Sequence, residues 1–368
     1  MKHRKYILLI LILIIFASCS GEGGIYDDGA GGSNGGSGIN NEAAGGGTGG
    51  TGISMGKITQ AGSTIKVNGV SFDTGSAVIT VDGSPGKLSD LRLGMIVTIR
   101  GTFNDDGITG KAESIDFKDN LEGPVEYIDI QNNIIKVLGK TILIDNSTYF
   151  QPTGTGIDDL IIGNIVEVSG FTEGDNSSVI RATYIENKAT VFESGTTEIE
   201  IKGVINTLDV NTSTFYIGTL KVDFTNAILE ELSIDNLKNG LFVEVKSTDG
   251  LDSNGVLISS VVEAEKITPD YEEGDKAEVE GLVTSFSSPY EEFEVNGQPV
   301  SVSPHTQFEN GTVEDIALNV KLEVEGNVDP YGVLIATEIS IEMENSNSEN
   351  PEDETDSDIL TNLSQTVS

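Results

Sequence analysis

The stretch GPVEYIDIQNNIIKVLGKTILID, residues 123–145, continues through IDDLIIG at 157–163, NIVEVSG at 164–170 and SVIRATYIEN at 178–187. Val and Ile alternate with polar residues in short runs, the period of a strand that buries one face. Five such runs are read here, and between the third and fourth IDDLIIG has the look of a helical turn. The order strand, strand, strand, helical turn, strand, strand predicts a small five-stranded OB-like barrel. An open meander or an SH3-like barrel would show the same pattern, and closure is favoured because it removes exposed edges.

The unit returns on both sides of this stretch. A Gly-x-[Ile/Val] opening occurs at Gly56, Gly123, Gly203 and Gly281, and the helical-turn segment recurs as LSDLRLG at 88–94, IDNLKNG at 234–240 and VEDIALN at 313–319. Repetition at this spacing, with a full strand set in each copy, predicts tandem small domains rather than one large core. Asn68-Gly69 and Asn296-Gly297 sit between apolar runs, where a two-residue type I′ hairpin needs two positive φ values. The expected fold is all-β: four tandem five-stranded OB-like barrels at 53–120, 121–190, 197–268 and 276–343. Copy three departs from the pattern at Val245-Lys246-Ser247, which lacks the usual glycine, and copy four has Asn319 where a glycine is expected.

Outside the repeats the composition changes. Residues 20–52 are dominated by Gly with Ser, Asn and Thr, too little apolar surface to offset ordering, and are read as a flexible linker. Residues 344–368 contain NSENPEDETDSD and no Lys or Arg, and are read as a disordered acidic tail. Residues 1–19 begin with Lys2, Arg4 and Lys5, pass through an apolar run from Ile7 to Phe16, and reach Ala17, Ser18 and Cys19. That is the layout of a secretory signal, with an apolar run shorter than the roughly 20 residues that span a bilayer. Phe-Ala-Ser-Cys resembles a bacterial lipobox, which implies lipidation of Cys19. The absence of Asp at position 20 implies export to the outer membrane in a Gram-negative host.

In the first repeat, VNGVSFDTGSAVITVDG at 67–83, DLRLGMIVTIRG at 90–101, DDGITGKAESIDF at 105–117 and LEGPVEYI at 121–128 together resemble the bacterial domain-of-unknown-function family 5666. The resemblance extends from about Met55 to Met343. It implies a secreted or lipid-anchored protein with several copies of the unit, and brings no reaction with it.

The formal charge is −38. A polyanion repels phosphates and forfeits the counterion release that drives non-specific nucleic-acid binding, so no nucleic-acid partner is expected. Cys19 is the only cysteine, which excludes an internal disulfide. His305 is the only histidine beyond the signal, in a SPHTQF turn, and no GxSxG elbow accompanies it, so Ser-His or Cys-His catalysis has no support. Paired Cys and clustered His are absent, which leaves zinc unsupported. Calcium has weak candidates in the acidic loops, namely Asp105, Asp106, Asp252 and Asn254, although Asp and Asn beside Gly are also what a hairpin turn requires. Exposed aromatics for a ligand come down to Tyr290 and Tyr331, both in Pro-containing turns. No catalytic residue and no cofactor is assigned. The sequence thus points to a non-enzymatic, lipid-anchored envelope protein, a tandem β-domain spacer or protein-binding scaffold. The alternative is a glycan-binding or hydrolytic accessory lipoprotein that uses a groove on one barrel.

Overall fold

A computed structural model describes residues 50–174 and 178–342. The signal with Cys19, most of the Gly-rich linker and the acidic tail lie outside the described residues. Each repeat opens with a long strand: Gly50–Lys57, Leu121–Asp129, Ile199–Asp209 and Lys276–Ser285. A tight hairpin follows, as in Thr64–Val67 with Val70–Asp73. Asn68-Gly69 takes φ of 47° and 73°, and Asn296-Gly297 takes 49° and 79°, as a type I′ turn requires. Three of the four predicted helical turns form as 3-10 turns, at Leu88–Asp90, Ile157–Asp159 and Val313–Asp315. In repeat 3 the corresponding turn is held by Asn236 and Leu237 N–H groups donating to the Ser233 carbonyl.

A sixth strand position precedes that turn, at Val78–Val81, Tyr149–Gln151, Ile228–Glu230 and Gln307–Glu309, so five strands per repeat was an undercount. These short strands pair parallel with the last strand of their own repeat.

The expectation of four separate OB-like barrels is overturned by what happens at the repeat boundaries. Gly50–Lys57 runs parallel to Lys276–Ser285, from Gly52 beside Lys276 to Met55 beside Val279, and fuses repeats 1 and 4. Leu121–Asp129 pairs with Ile199–Asp209 through Leu121–Ile201 and Glu122–Glu200, and fuses repeats 2 and 3. The outcome is two 13-stranded sheets, wound as a β-solenoid of about seven turns. The cores merge in the same way. Leu121, Val168, Ile201 and Val245 belong to one cluster across repeats 2 and 3, and Met55 of repeat 1 packs in the core of repeat 4. The physical reason is the opening strand's second edge, whose N–H and C=O groups find partners in a neighbouring repeat instead of remaining open.

The glycine that closes the fifth strand explains the departure seen in repeat 3. Gly101, Gly170 and Gly326 each sit at a β-bulge against the last strand. A Cβ there would lie 2.1 to 2.3 Å from the carbonyl oxygen of Lys111, Arg181 or Ile335. Only glycine allows this approach. Repeat 3 has Ser247, and its last strand is broken into Leu257–Ile258 and Val261–Ala264. The Ser247 hydroxyl accepts the Gly250 N–H at 2.9 Å and donates to the Ile258 carbonyl, so the side chain occupies the break. Asn319 is accommodated differently: its φ of 65° supplies the left-handed turn that Gly94, Gly163 and Gly240 supply elsewhere. Gly170→Ala is expected to destabilise the protein by about 1–3 kcal/mol through forced backbone displacement. Urea denaturation measures this, and an unchanged midpoint would refute the close-approach account.

Candidate functional site

The sequence-predicted loop residues are used locally. Asp106 accepts the N–H groups of Ile108 and Thr109 at 3.0 and 2.9 Å and the Thr109 hydroxyl at 2.6 Å, and these bonds hold its carboxyl below the usual range. Asp105 lies beside it in the same exposed loop. Asp252 accepts the N–H groups of Asn254 and Val256 at 2.8 and 2.9 Å, while the Asn254 amide donates back to Asp252 at 3.2 Å. These carboxylates close their own turns. Tyr290 is exposed and its hydroxyl donates to Glu314 at 3.0 Å. Tyr331 stands 90% exposed at a loop tip held by Asp329. His305 is an exposed turn residue whose N–H donates to the Ser303 hydroxyl.

What the sequence reading missed lies on strands. Lys202, in the opening strand of repeat 3, is buried with Asp119 at 3.0 Å, Glu244 at 2.8 Å, and Glu200. Lys246 on the adjacent strand bonds the second oxygens of Glu200 and Glu244 at 3.3 and 3.1 Å. Within repeats 2 and 4 a similar arrangement recurs. Lys188 meets Glu167 at 2.6 Å and Glu122 at 3.8 Å, and Lys321 meets Glu280 at 2.6 Å and Glu342 at 2.9 Å.

Carboxyls outnumber lysines in these rows, and burial disfavours the surplus charge. Burial pushes Asp119 up to about 7 against the pull of Lys202, and raises Glu122, Glu167 and Glu323 to about 7. Burial, and then the neighbouring Glu325 carboxylate, push Glu278 up to about 8 against the pull of Lys276 at 3.5 Å. Lys202 moves the other way: burial opposes its charge, but Asp119, Glu200 and Glu244 outweigh that and hold it well above the usual value. The two directions are compatible, since one ammonium among three carboxylates stays charged while the surplus carboxylate takes up a proton.

Beside Lys202 a cavity of about 650 Å³ opens, lined by all four repeats. Its floor is the outward face of two repeat 1 strands, Ile96–Phe103 and Thr109–Phe117, which presents Thr98, Arg100 and Ser114. Repeat 2 adds Ser169 and Thr172, repeat 3 adds Phe242 and Glu263, and repeat 4 adds the Asn296-Gly297 hairpin. The connection between repeats 3 and 4 is strapped across it: Lys118 bonds Glu265 at 2.8 Å, and Arg100 donates to the Asp270 carbonyl. Volume and mixed polar and apolar lining fall in the range of small-molecule sites. Neither the loop acids nor Tyr290 and Tyr331 line it. The signal that could have found it is the outward Thr, Arg and Ser at alternate strand positions, which read on their own as solvated faces.

The family described as Domain of unknown function (DUF5666) matches residues 55–116, 122–186 and 280–340. The unmatched repeat 3 is the copy whose Ser247 breaks the last strand. No curated protein matches the chain.

Proposed function

We propose, from the premise that this chain belongs to the DUF5666 family, that it is a non-enzymatic, lipid-anchored envelope protein whose four repeats act as one rigid scaffold. The observation that carries this reading is the joining of the repeats by strand pairing and by the buried Lys202–Asp119 ion pair between repeats 3 and 1. Independent domains on a string would present mobile surfaces, whereas a fused body holds its faces at fixed separations, as a spacer or docking platform requires. Cys19 supplies the tether in this reading, since a cysteine carrying two or more acyl chains associates stably with membranes.

The test is Cys19→Ser in the native host. The wild type should incorporate radioactive palmitate and partition with detergent, and the variant should do neither. Wild type that is unlabelled and cut elsewhere than before Cys19 would remove the anchor and the envelope assignment.

A second reading, a glycan-binding accessory protein, is favoured by the cavity. Its polar groups converge from four repeats on one space instead of being dispersed in four equivalent loops.

A further inference from the structure

We propose that the four-repeat cavity binds a polyhydroxylated ligand carrying a protonated amine, of the amino-sugar class, with Glu263 receiving the amine. The inference rests on the glycan-binding reading and narrows it. The charges of the cavity wall decide the sign of the ligand. Every cation of the wall is engaged: Arg100 with the Asp270 carbonyl, Lys118 with Glu265, Lys202 with its three carboxylates, and Lys266 with Asp270. An anionic ligand would have to displace one of these pairs.

Around Glu263 the acids are not equally engaged. Glu244, Glu263 and Glu265 place carboxylate oxygens within 4.8 Å of one another. Lys202 and Lys246 hold the first and Lys118 the third. The Glu263 carboxylate makes no side-chain hydrogen bond or close ion pair among the described residues and lines the cavity; burial, Glu244 and Glu265 raise its pKa against the weaker opposing pull of Lys246. A cation that reached Glu263 would relieve that repulsion. A bare divalent ion is a poorer fit, because it needs six or more oxygen ligands and two of these three carboxylates are committed to lysine.

The remaining wall chemistry suits hydroxyls. Thr98, Ser114 and Thr172 line the same space, and their side-chain oxygens have no partner among the described residues. Each can donate one hydrogen bond and accept two. Half-buried Phe242 offers an apolar face of the kind on which a sugar's C–H surface rests. One amine, several hydroxyls and one apolar face describe an amino sugar, and the volume holds one or two rings.

The experiment titrates the full chain in detergent micelles with glucosamine, N-acetylglucosamine and glucose at pH 6.5, followed by calorimetry. Glucosamine should bind at least tenfold more tightly than the other two. Glu263→Gln should bring the three within about twofold, and Thr98→Val should weaken all three alike, with far-ultraviolet circular dichroism verifying the fold of each variant. If the three sugars bind equally to the wild type, or if the Gln variant keeps the amine preference, the inference is overturned while glycan binding stands. If no sugar binds the folded wild type, both fall.

Discussion

Thermal stability is expected to increase as pH falls from 8.5 to about 5, opposite to the usual behaviour of a protein whose carboxylates are salt-bridged. Asp119, Glu122, Glu167, Glu278 and Glu323 have folded pKa values raised to about 7 or 8, above their unfolded values near 4. Between those limits the folded state binds more protons than the unfolded state, so stability declines as pH rises through the folded pKa values and is fully present below the unfolded ones. The carboxyls share neighbours and do not add independently. A combined effect of roughly 3–6 kcal/mol across the window is expected, a shift in midpoint on the order of 10 °C. Below about pH 4.5 the trend reverses, since Asp106, Asp129, Asp209 and Asp252 are held below their ordinary range by turn hydrogen bonds and lose these on protonation.

Glu278→Gln separates this cause from general charge repulsion. The amide cannot ionise, so the variant should be more stable than wild type at pH 8.5 by about 1–3 kcal/mol and nearly equal to it at pH 5. Scanning calorimetry at constant ionic strength decides the matter. A midpoint that is flat or rises between pH 5.5 and 8.5 would show that these carboxyls are solvated and ionised, and that the seams are wet.

The repeat architecture was legible because its markers act through the backbone. Asn68-Gly69 and Asn296-Gly297 require positive φ, and Gly101, Gly170 and Gly326 mark close approach at bulges, so their periodic return reports a periodic chain path. Even the Ser247 irregularity could be placed in advance, although not the broken strand it produces. The joining of the repeats was not legible. Alternation along AEVEG at 277–281 and IEIKG at 199–203 says which residues face the repeat's own core, but not what covers the other face. Glu278, Glu280, Glu200 and Lys202 therefore read as solvated charges, yet all four are buried. The cavity was hidden for the same reason: Thr98, Ser114, Thr172 and Glu263 come from three repeats, and no spacing in the sequence brings them together. Abundance of acids concealed the rest, since 59 Asp and Glu give no single pair statistical weight.

Lys202→Met is expected to be among the most damaging single substitutions in the chain. It removes the ammonium that Asp119, Glu200 and Glu244 surround and leaves Lys246, which reaches Glu200 and Glu244 at 3.3 and 3.1 Å, as the remaining ion-paired cation of the group. Uncompensated buried carboxylates destabilise by about 3–5 kcal/mol, far more than the loss of an exposed pair. The apolar replacement has similar length, so the penalty is electrostatic and not a cavity effect. Two features identify the mechanism. The loss should shrink at pH 5, where the orphaned carboxyls take up protons in the folded state. It should also shrink at pH 7.5 when Glu244→Gln is added, because one of the unpaired charges is then absent, so that the two substitutions couple with opposite sign to their separate effects. Urea unfolding of the single and double variants at both pH values measures this. If Lys202→Met costs less than about 1 kcal/mol at pH 7.5, the cluster behaves as a surface network. The junction between repeats 1 and 2, which Asp119 occupies, would then be held to repeat 3 by strand pairing and the Lys118–Glu265 pair.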